Sequence, residues 1–256
     1  MNPLRAVVLD TDGVLLDSAV LHAAAWKAAF DGCLDAWAAD ARTDRQLPFD
    51  AEGEYRELVD GKPRLAGALA FLTARGIALP PGTPADPPGC DTVWAVAARK
   101  EQAFTAALQA GDVQAFPQAF PEVRRVLETL RARGTRCAAA SASRHARPLL
   151  EATGLAGLVD VLVDGTDAER LALAGKPDPA LFLEAARRLR VAPADAALVE
   201  DALAGVEAGR RGRFGLVVGL DRTRDTAATA ALRAHGADVV LADLTALVGA
   251  VTGARP

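Results

Sequence analysis

The chain has 256 residues, 51% of them hydrophobic and 24% charged, with a formal net charge of -4. That length holds one large domain or two smaller ones around a real hydrophobic core, and the mildly acidic balance argues against a nucleic-acid or anionic-membrane partner. No apolar run reaches the ~18 residues of a membrane span and no secretory leader pattern opens the chain, so a cytoplasmic protein is expected.

The first element is RAVVL, a short β-branched run that stops at Asp10-Thr11-Asp12-Gly13. It reads as a buried strand running into a turn. A helix over 18–30 follows, with Leu21, Ala24, Ala25, Ala28 and Ala29 on one face. Helical patches at 52–59 and 64–75 precede a Pro/Gly-rich loop at 79–89, and a long helix is expected over 93–110. From Pro121 strands and helices alternate. TRCAAAS, VDVLVDG, AALVED, FGLVVGL and ADVVL read as strands, separated by PEVRRVLETLRARG, HARPLLEATG, DPALFLEAARRLR, ALAGVEAGRR and TAATAALRAHG as helices, with one more short helix at the end. This alternation predicts an α/β fold with a doubly wound parallel sheet. The first two strands lie about 125 residues apart with only helical patterns between them. An inserted, mainly α-helical domain at 18–112 is therefore expected, with the sheet domain made of 1–17 and 113–256.

Cys33, Cys90 and Cys137 are odd in number and scattered, with no CxxC pair or His-rich cluster. Buried reduced thiols are expected, and neither a disulfide framework nor a zinc site.

In open α/β sheets ligands bind beyond the carboxyl ends of the strands. The polar groups at those ends are Asp10 and Asp12, Ser141 and Ser143, and Glu200 and Asp201, with Lys176 in GKPDP at the start of a helix. Each has an ordinary explanation when taken singly. A DxDG is turn chemistry, SxS caps a helix, and a loop lysine is solvated. Together at parallel strand ends they gather carboxylates, hydroxyls and one lysine. Oxygen donors without His or Cys suit a hard divalent cation, most naturally Mg2+. A cation, a lysine and a carboxylate nucleophile suit phosphoryl transfer, with Asp10 attacking and Asp12 as acid/base.

DTDGVLLDS, SAS, GKPDP and VEDALAGVEAG resemble the haloacid dehalogenase superfamily of phosphotransferases. The resemblance implies a Rossmann-like core and an aspartyl-phosphate mechanism. Asp10 would be the nucleophile, Asp12 the acid/base, and Ser141 and Lys176 the groups on the transferring phosphoryl. Mg2+ would be held by the Asp10 carboxylate, the Asp12 carbonyl and Asp201, with Glu200 close by. The insertion resembles the helical cap of the β-phosphoglucomutase branch. Ser18, His22 and Trp26 share a helix face at spacings of four, Gly61-Lys62-Pro63-Arg64 is similar to the loop that clamps a second phosphate, and Arg99-Lys100 to a pair whose lysine completes the site. Ser143, Arg144 and His145 fall where the mutases carry Ser-Lys-Asn around the distal phosphate. His145 in place of asparagine, Leu65 in place of an acid, and the proline-rich loop are departures. The implied activity is conversion of β-glucose 1-phosphate to glucose 6-phosphate through a bisphosphate, with a small phosphorylated sugar as partner and a monomeric chain. A sugar-phosphate phosphatase, in which water wins over the sugar hydroxyl, is the alternative. A non-catalytic sensor would lack one of Asp10, Asp12, Lys176 or Asp201, and all four are present.

Overall fold

The computed structural model describes residues 4–40, 44–109 and 117–252. In chain order the elements are β1 (Ala6–Asp10), α1 (Ala19–Ala39), α2 (Arg64–Ala74), α3 (Val93–Gln109), α4 (Val123–Ala132), β2 (Arg136–Ala140), α5 (Ala146–Ala152), β3 (Val161–Val163), α6 (Gly165–Arg170), α7 (Ala180–Leu189), β4 (Ala196–Glu200), α8 (Leu203–Arg211), β5 (Leu216–Leu220), α9 (Thr226–Ala234), β6 (Val239–Leu241) and α10 (Leu247–Thr252). They divide into two compact units, Met1–Asp17 with Gln118–Pro256, and Ser18–Pro117. The expected second junction, at 112/113, lies outside the described residues.

The first unit is built on a six-stranded parallel sheet of order β3-β2-β1-β4-β5-β6. All residues of β1, β4 and β5 are buried, which is why these strands read as continuous apolar runs with no polar alternation. Helix α4 turns Val123, Val126, Leu127 and Leu130 inward at helical spacing. Helix α7 does the same with Leu181, Phe182, Ala185, Ala186 and Leu189, and packs in a cluster with Val8, Ala138, Leu198 and Val217 of the strands. The register aligns the strand ends. Asp10 stands opposite Ala140, the residue before Ser141, and Leu9 opposite Val199, so Asp10 and Glu200 end neighbouring strands. The two crossings of the chain are joined side by side. Asp17 N donates to Gln118 O at 2.8 Å and Phe120 N to Leu15 O at 3.2 Å.

The second unit has its own core. Phe30 stacks on Trp26 and Phe71 at 4.8 and 3.8 Å, with Phe49 against both Phe30 and Phe71. Helix α1 runs on past the expected end at 30, because Phe30, Cys33, Leu34 and Trp37 continue its buried stripe. Residues Tyr55–Val59, in the patch expected as ordinary helix, form a wide π-type turn. The expectation of reduced thiols is corrected here. Cys33 and Cys90 are joined in a disulfide, their Cα atoms 5.3 Å apart. The loop before α3 folds back along α1, where Trp37 Nε1 donates to Cys90 O at 2.8 Å. Spacing along the chain carries no trace of such a pairing, which depends on where two elements meet. Cys137 is a free buried thiol, as expected, and burial pushes its pKa to about 12. Among the described residues no helix is long and apolar enough to cross a membrane.

Candidate active site

The carboxyl edge of the sheet gathers the polar strand ends. Lys176 Nζ lies 2.5 Å from both Asp10 Oδ1 and Glu200 Oε1. All three side chains are almost wholly buried. The second oxygen of each carboxylate accepts a main-chain N–H, Asp12 N to Asp10 Oδ2 at 3.0 Å and Ala202 N to Glu200 Oε2 at 2.6 Å. These bonds fix both carboxylates in place. Burial opposes a charge on Lys176, but the Asp10 and Glu200 carboxylates outweigh it and hold the ammonium above the ordinary lysine range. Burial pushes the Asp10 carboxyl well above the usual carboxylate range against the pull of Lys176, and Glu200 and Asp12 add to the rise. The cluster is therefore short of positive charge.

Asp12 is half-buried, and Ser141 Oγ donates to its Oδ2 at 3.3 Å. Ser141 Oγ in turn accepts Ser143 N at 3.1 Å, and Ser143 Oγ accepts His145 N at 3.2 Å, so SAS forms two successive side-chain turns leading into α5. Asp201 lies against the turn after β1. A Cβ on Gly13, which holds φ +78°, would fall 1.7 Å from Asp201 Oδ2. Asp10, Asp12, Ser141, Lys176, Glu200 and Asp201 thus belong to one edge of one unit. Glu200, grouped with the cation ligands from the sequence, spends its two oxygens on Lys176 and Ala202 N. Arg144 is exposed and pairs with Glu169 at 2.5 Å.

The second unit brings together residues from α1 and α3. Lys100 Nζ is 2.9 Å from His22 Nδ1 and lies over the rings of Phe104 and Trp26, at 4.4 and 5.8 Å. His22 stacks on Phe104 at 4.3 Å. Ser18 is buried, and its carbonyl accepts His22 N at 3.0 Å. Phe104 carries no motif of its own, and its place one turn after Lys100 is the sign of it in the sequence. Gly61 takes φ +67° after the π-type turn. Lys62 donates to Leu58 O at 2.8 Å, and Arg64, first residue of α2, pairs with Glu101 at 2.6 Å.

The sequence matches the family model for haloacid dehalogenase-like hydrolases over residues 4–213. The chain belongs to this family. Within the haloacid dehalogenase superfamily it falls in the β-phosphoglucomutase-like branch. It is 44% identical over 245 residues to a β-phosphoglucomutase of Mycobacterium bovis, covering 96% of this chain and 92% of that one. Two solved structures share the fold. One is a hydrolase from Pseudomonas syringae (TM-score 0.72, 21% identity, 98% of this chain and 100% of that one). The other is a β-phosphoglucomutase from Clostridium difficile (TM-score 0.70, 18% identity, 98% and 93%). The protein is thus an enzyme of the haloacid dehalogenase superfamily, a phosphotransferase.

Proposed function

We propose that the protein is a Mg2+-dependent phosphosugar mutase that interconverts β-glucose 1-phosphate and glucose 6-phosphate through an aspartyl phosphate on Asp10 and a bisphosphate intermediate. One observation carries the choice of mutase. The 44% identity to a β-phosphoglucomutase runs through 96% of the chain, so it includes the insertion as well as the sheet domain. In this reading an Asp10 oxygen bonds to phosphorus as one of the two sugar–phosphate bonds of the bisphosphate breaks, and Asp12 protonates the departing oxygen, which leaves a sugar monophosphate. In the other half the free hydroxyl of a sugar monophosphate gives its proton to Asp12 and takes the phosphoryl from Asp10, which forms the bisphosphate. Lys176 neutralises the phosphoryl, and Ser141 donates a hydrogen bond to it. Orienting a sugar hydroxyl against the aspartyl phosphate is worth an effective molarity of ~10⁵ M or more, enough to outrun water.

The core suits a cation. It sets four carboxylates against one lysine, and every donor is a hard oxygen. Among the described residues no three His, Cys, Asp or Glu side chains are grouped to hold a metal ion by themselves; Mg2+ would take Asp10, Asp201, the Asp12 carbonyl and water, with Glu200 alongside. When bound it would neutralise charge on the transferring phosphoryl.

Sugar recognition falls to Ser18, His22, Trp26, Gly61, Lys62 and Lys100, and the distal phosphate to Arg64, Ser143, Arg144 and His145. Arg64 and Arg144 already hold Glu101 and Glu169. A guanidinium has five donors, so each can take a phosphate and keep part of its carboxylate contact. The alternative, a sugar-phosphate phosphatase, uses the same core residues and agrees with the family's description as hydrolases. Incubation with β-glucose 1-phosphate, Mg2+ and a trace of the 1,6-bisphosphate separates the two. Glucose 6-phosphate without matching free phosphate is expected. Free phosphate without glucose 6-phosphate overturns the mutase reading, and full activity in Asp10→Asn overturns both.

A further inference from the structure

The turn that carries Asp12 is held by a residue far away in sequence. Arg222, just beyond β5, donates from Nε to Gly13 O at 3.0 Å and from Nη2 to Val14 O at 2.9 Å. Its third arm, Nη1, donates to Glu122 Oε1 at 2.7 Å, and the flat guanidinium lies 3.4 Å from the centre of the Phe120 ring. The two carbonyls belong to the successive Gly13–Val14 and Val14–Leu15 peptide groups, which begin one peptide beyond Asp12. The turn closes on itself through Leu15 N and Leu16 N to Thr11 O, at 2.9 and 2.8 Å, and Gly13 N to Leu16 O at 2.8 Å. Those bonds fix the shape of the turn, and Phe120 N to Leu15 O at 3.2 Å joins its far end to the returning chain. Arg222 ties it to the end of β5 and, through Glu122 and Phe120, to the segment where the chain returns from the insertion.

We propose that Arg222 is a positioning residue for phosphoryl transfer. It pins the Gly13–Val14 and Val14–Leu15 peptide groups and so sets the path of the turn and the direction of the Asp12 carboxyl, without touching the phosphoryl group itself. The role needs a rigid fork. Three donors at fixed angles meet two carbonyls and a carboxylate at once, while a planar face stacks on a ring, and a lysine supplies only a point charge. A shift of about 1 Å in a proton-transfer group costs on the order of a hundredfold in rate. The proposal rests on the reading of Asp10 and Asp12 as nucleophile and proton carrier, and is independent of whether sugar or water accepts the phosphoryl.

The test uses the full-length enzyme with Mg2+ and p-nitrophenyl phosphate, with Asp10→Asn as the control. Arg222→Gln is expected to lower kcat by about tenfold to a hundredfold with KM within about twofold. Hydrogen exchange of the peptide spanning the turn should quicken in Arg222→Gln relative to the parent enzyme. Arg222→Lys should recover thermal stability, because the charge on Glu122 is again met, and should not recover kcat. A purely structural role predicts the opposite pattern, with kcat and stability recovering together. The proposal is overturned if kcat in Arg222→Gln stays within about threefold of the parent enzyme, or if Arg222→Lys restores it. If Arg222→Gln does not fold, Phe120→Leu removes the stacking face and keeps all three hydrogen bonds; a several-fold fall in kcat is expected, and an unchanged kcat overturns the proposal. Activity that survives Asp10→Asn defeats the reading of the nucleophile instead, and in that case unchanged exchange at the turn overturns the role of Arg222 as well.

Discussion

Lys176 is the single positive charge between two buried carboxylates, and removing it leaves both unpaired. Lys176→Met should abolish phosphoryl transfer and destabilise the fold by about 3–5 kcal/mol, read from denaturant midpoints. Adding Glu200→Gln to that variant should return part of the stability and none of the activity. The sign of the pH effect follows from the raised pKa. The lysine's contribution to stability is complete below its ordinary value of 10.5 and fades as pH climbs beyond it. Gly13 is the other sensitive residue. Gly13→Ala asks a methyl to occupy the place of Asp201 Oδ2 at a φ of +78°, so activity should fall sharply, and thermal melting should show a loss of about 1 kcal/mol or more. Most of this cluster was legible in the sequence. Asp10, Ser141 and Glu200 stand where apolar runs stop, and parallel topology alone brings such ends together. Arg222 was not legible, and Phe104 only through its place one turn after Lys100. A lone arginine or phenylalanine has no motif, and its role exists only through partners that folding supplies.

Among the elements, α6 and α7 are joined by Arg188, which donates to Asp167 at 2.9 Å and Glu184 at 2.8 Å. Arg187 and Arg188 bring the Glu184 carboxyl down to about 2, and Arg188 and Arg170 bring Asp167 down to about 2. Both pKa values are lowered on folding, so the stabilisation is full above pH ~4.5 and is lost as pH falls towards 2. These side chains are partly exposed, which keeps the whole contribution near ~1 kcal/mol. Arg188→Gln should lower the thermal midpoint at pH 7 and flatten the acid limb of stability against pH. A midpoint that does not move at pH 7 would show the bridge to be idle. The limits of helix prediction also show here. The helix expected to end at 30 runs on through Gly32, over which the Arg99 guanidinium lies, so that a Cβ there would meet Nη2 at 2.2 Å. The glycine makes room for α3 and does not end α1.

For the whole molecule, the two units have separate cores. The cluster around Phe30, Trp37 and Phe71 lies wholly in the insertion, and the cluster around Leu198, Val206 and Val217 wholly in the sheet unit. The Cys33–Cys90 link belongs to the first of these and closes a long loop. Reduction, or Cys33→Ser with Cys90→Ser, should cost the insertion about 2–4 kcal/mol. Limited proteolysis under reducing conditions should therefore cut within 18–117 first and leave the sheet unit intact. Cleavage that starts in the sheet unit would contradict this.

The position of β1 has a consequence for synthesis. Ala6 finds its two sheet partners at Arg136 and Ala196. The strand that ends in Asp10 leaves the ribosome before the other strands of its sheet and has none of them to pair with until the insertion has been made. The insertion, whose contacts are comparatively local, is complete by Pro117. Vectorial synthesis therefore favours an order in which the inserted unit matures before the catalytic edge exists. Nascent chains halted soon after residue 117 emerges should show protease protection across 18–117 and none at β1, which makes the strand bearing the nucleophile the first of its sheet to be translated and among the last to find its place.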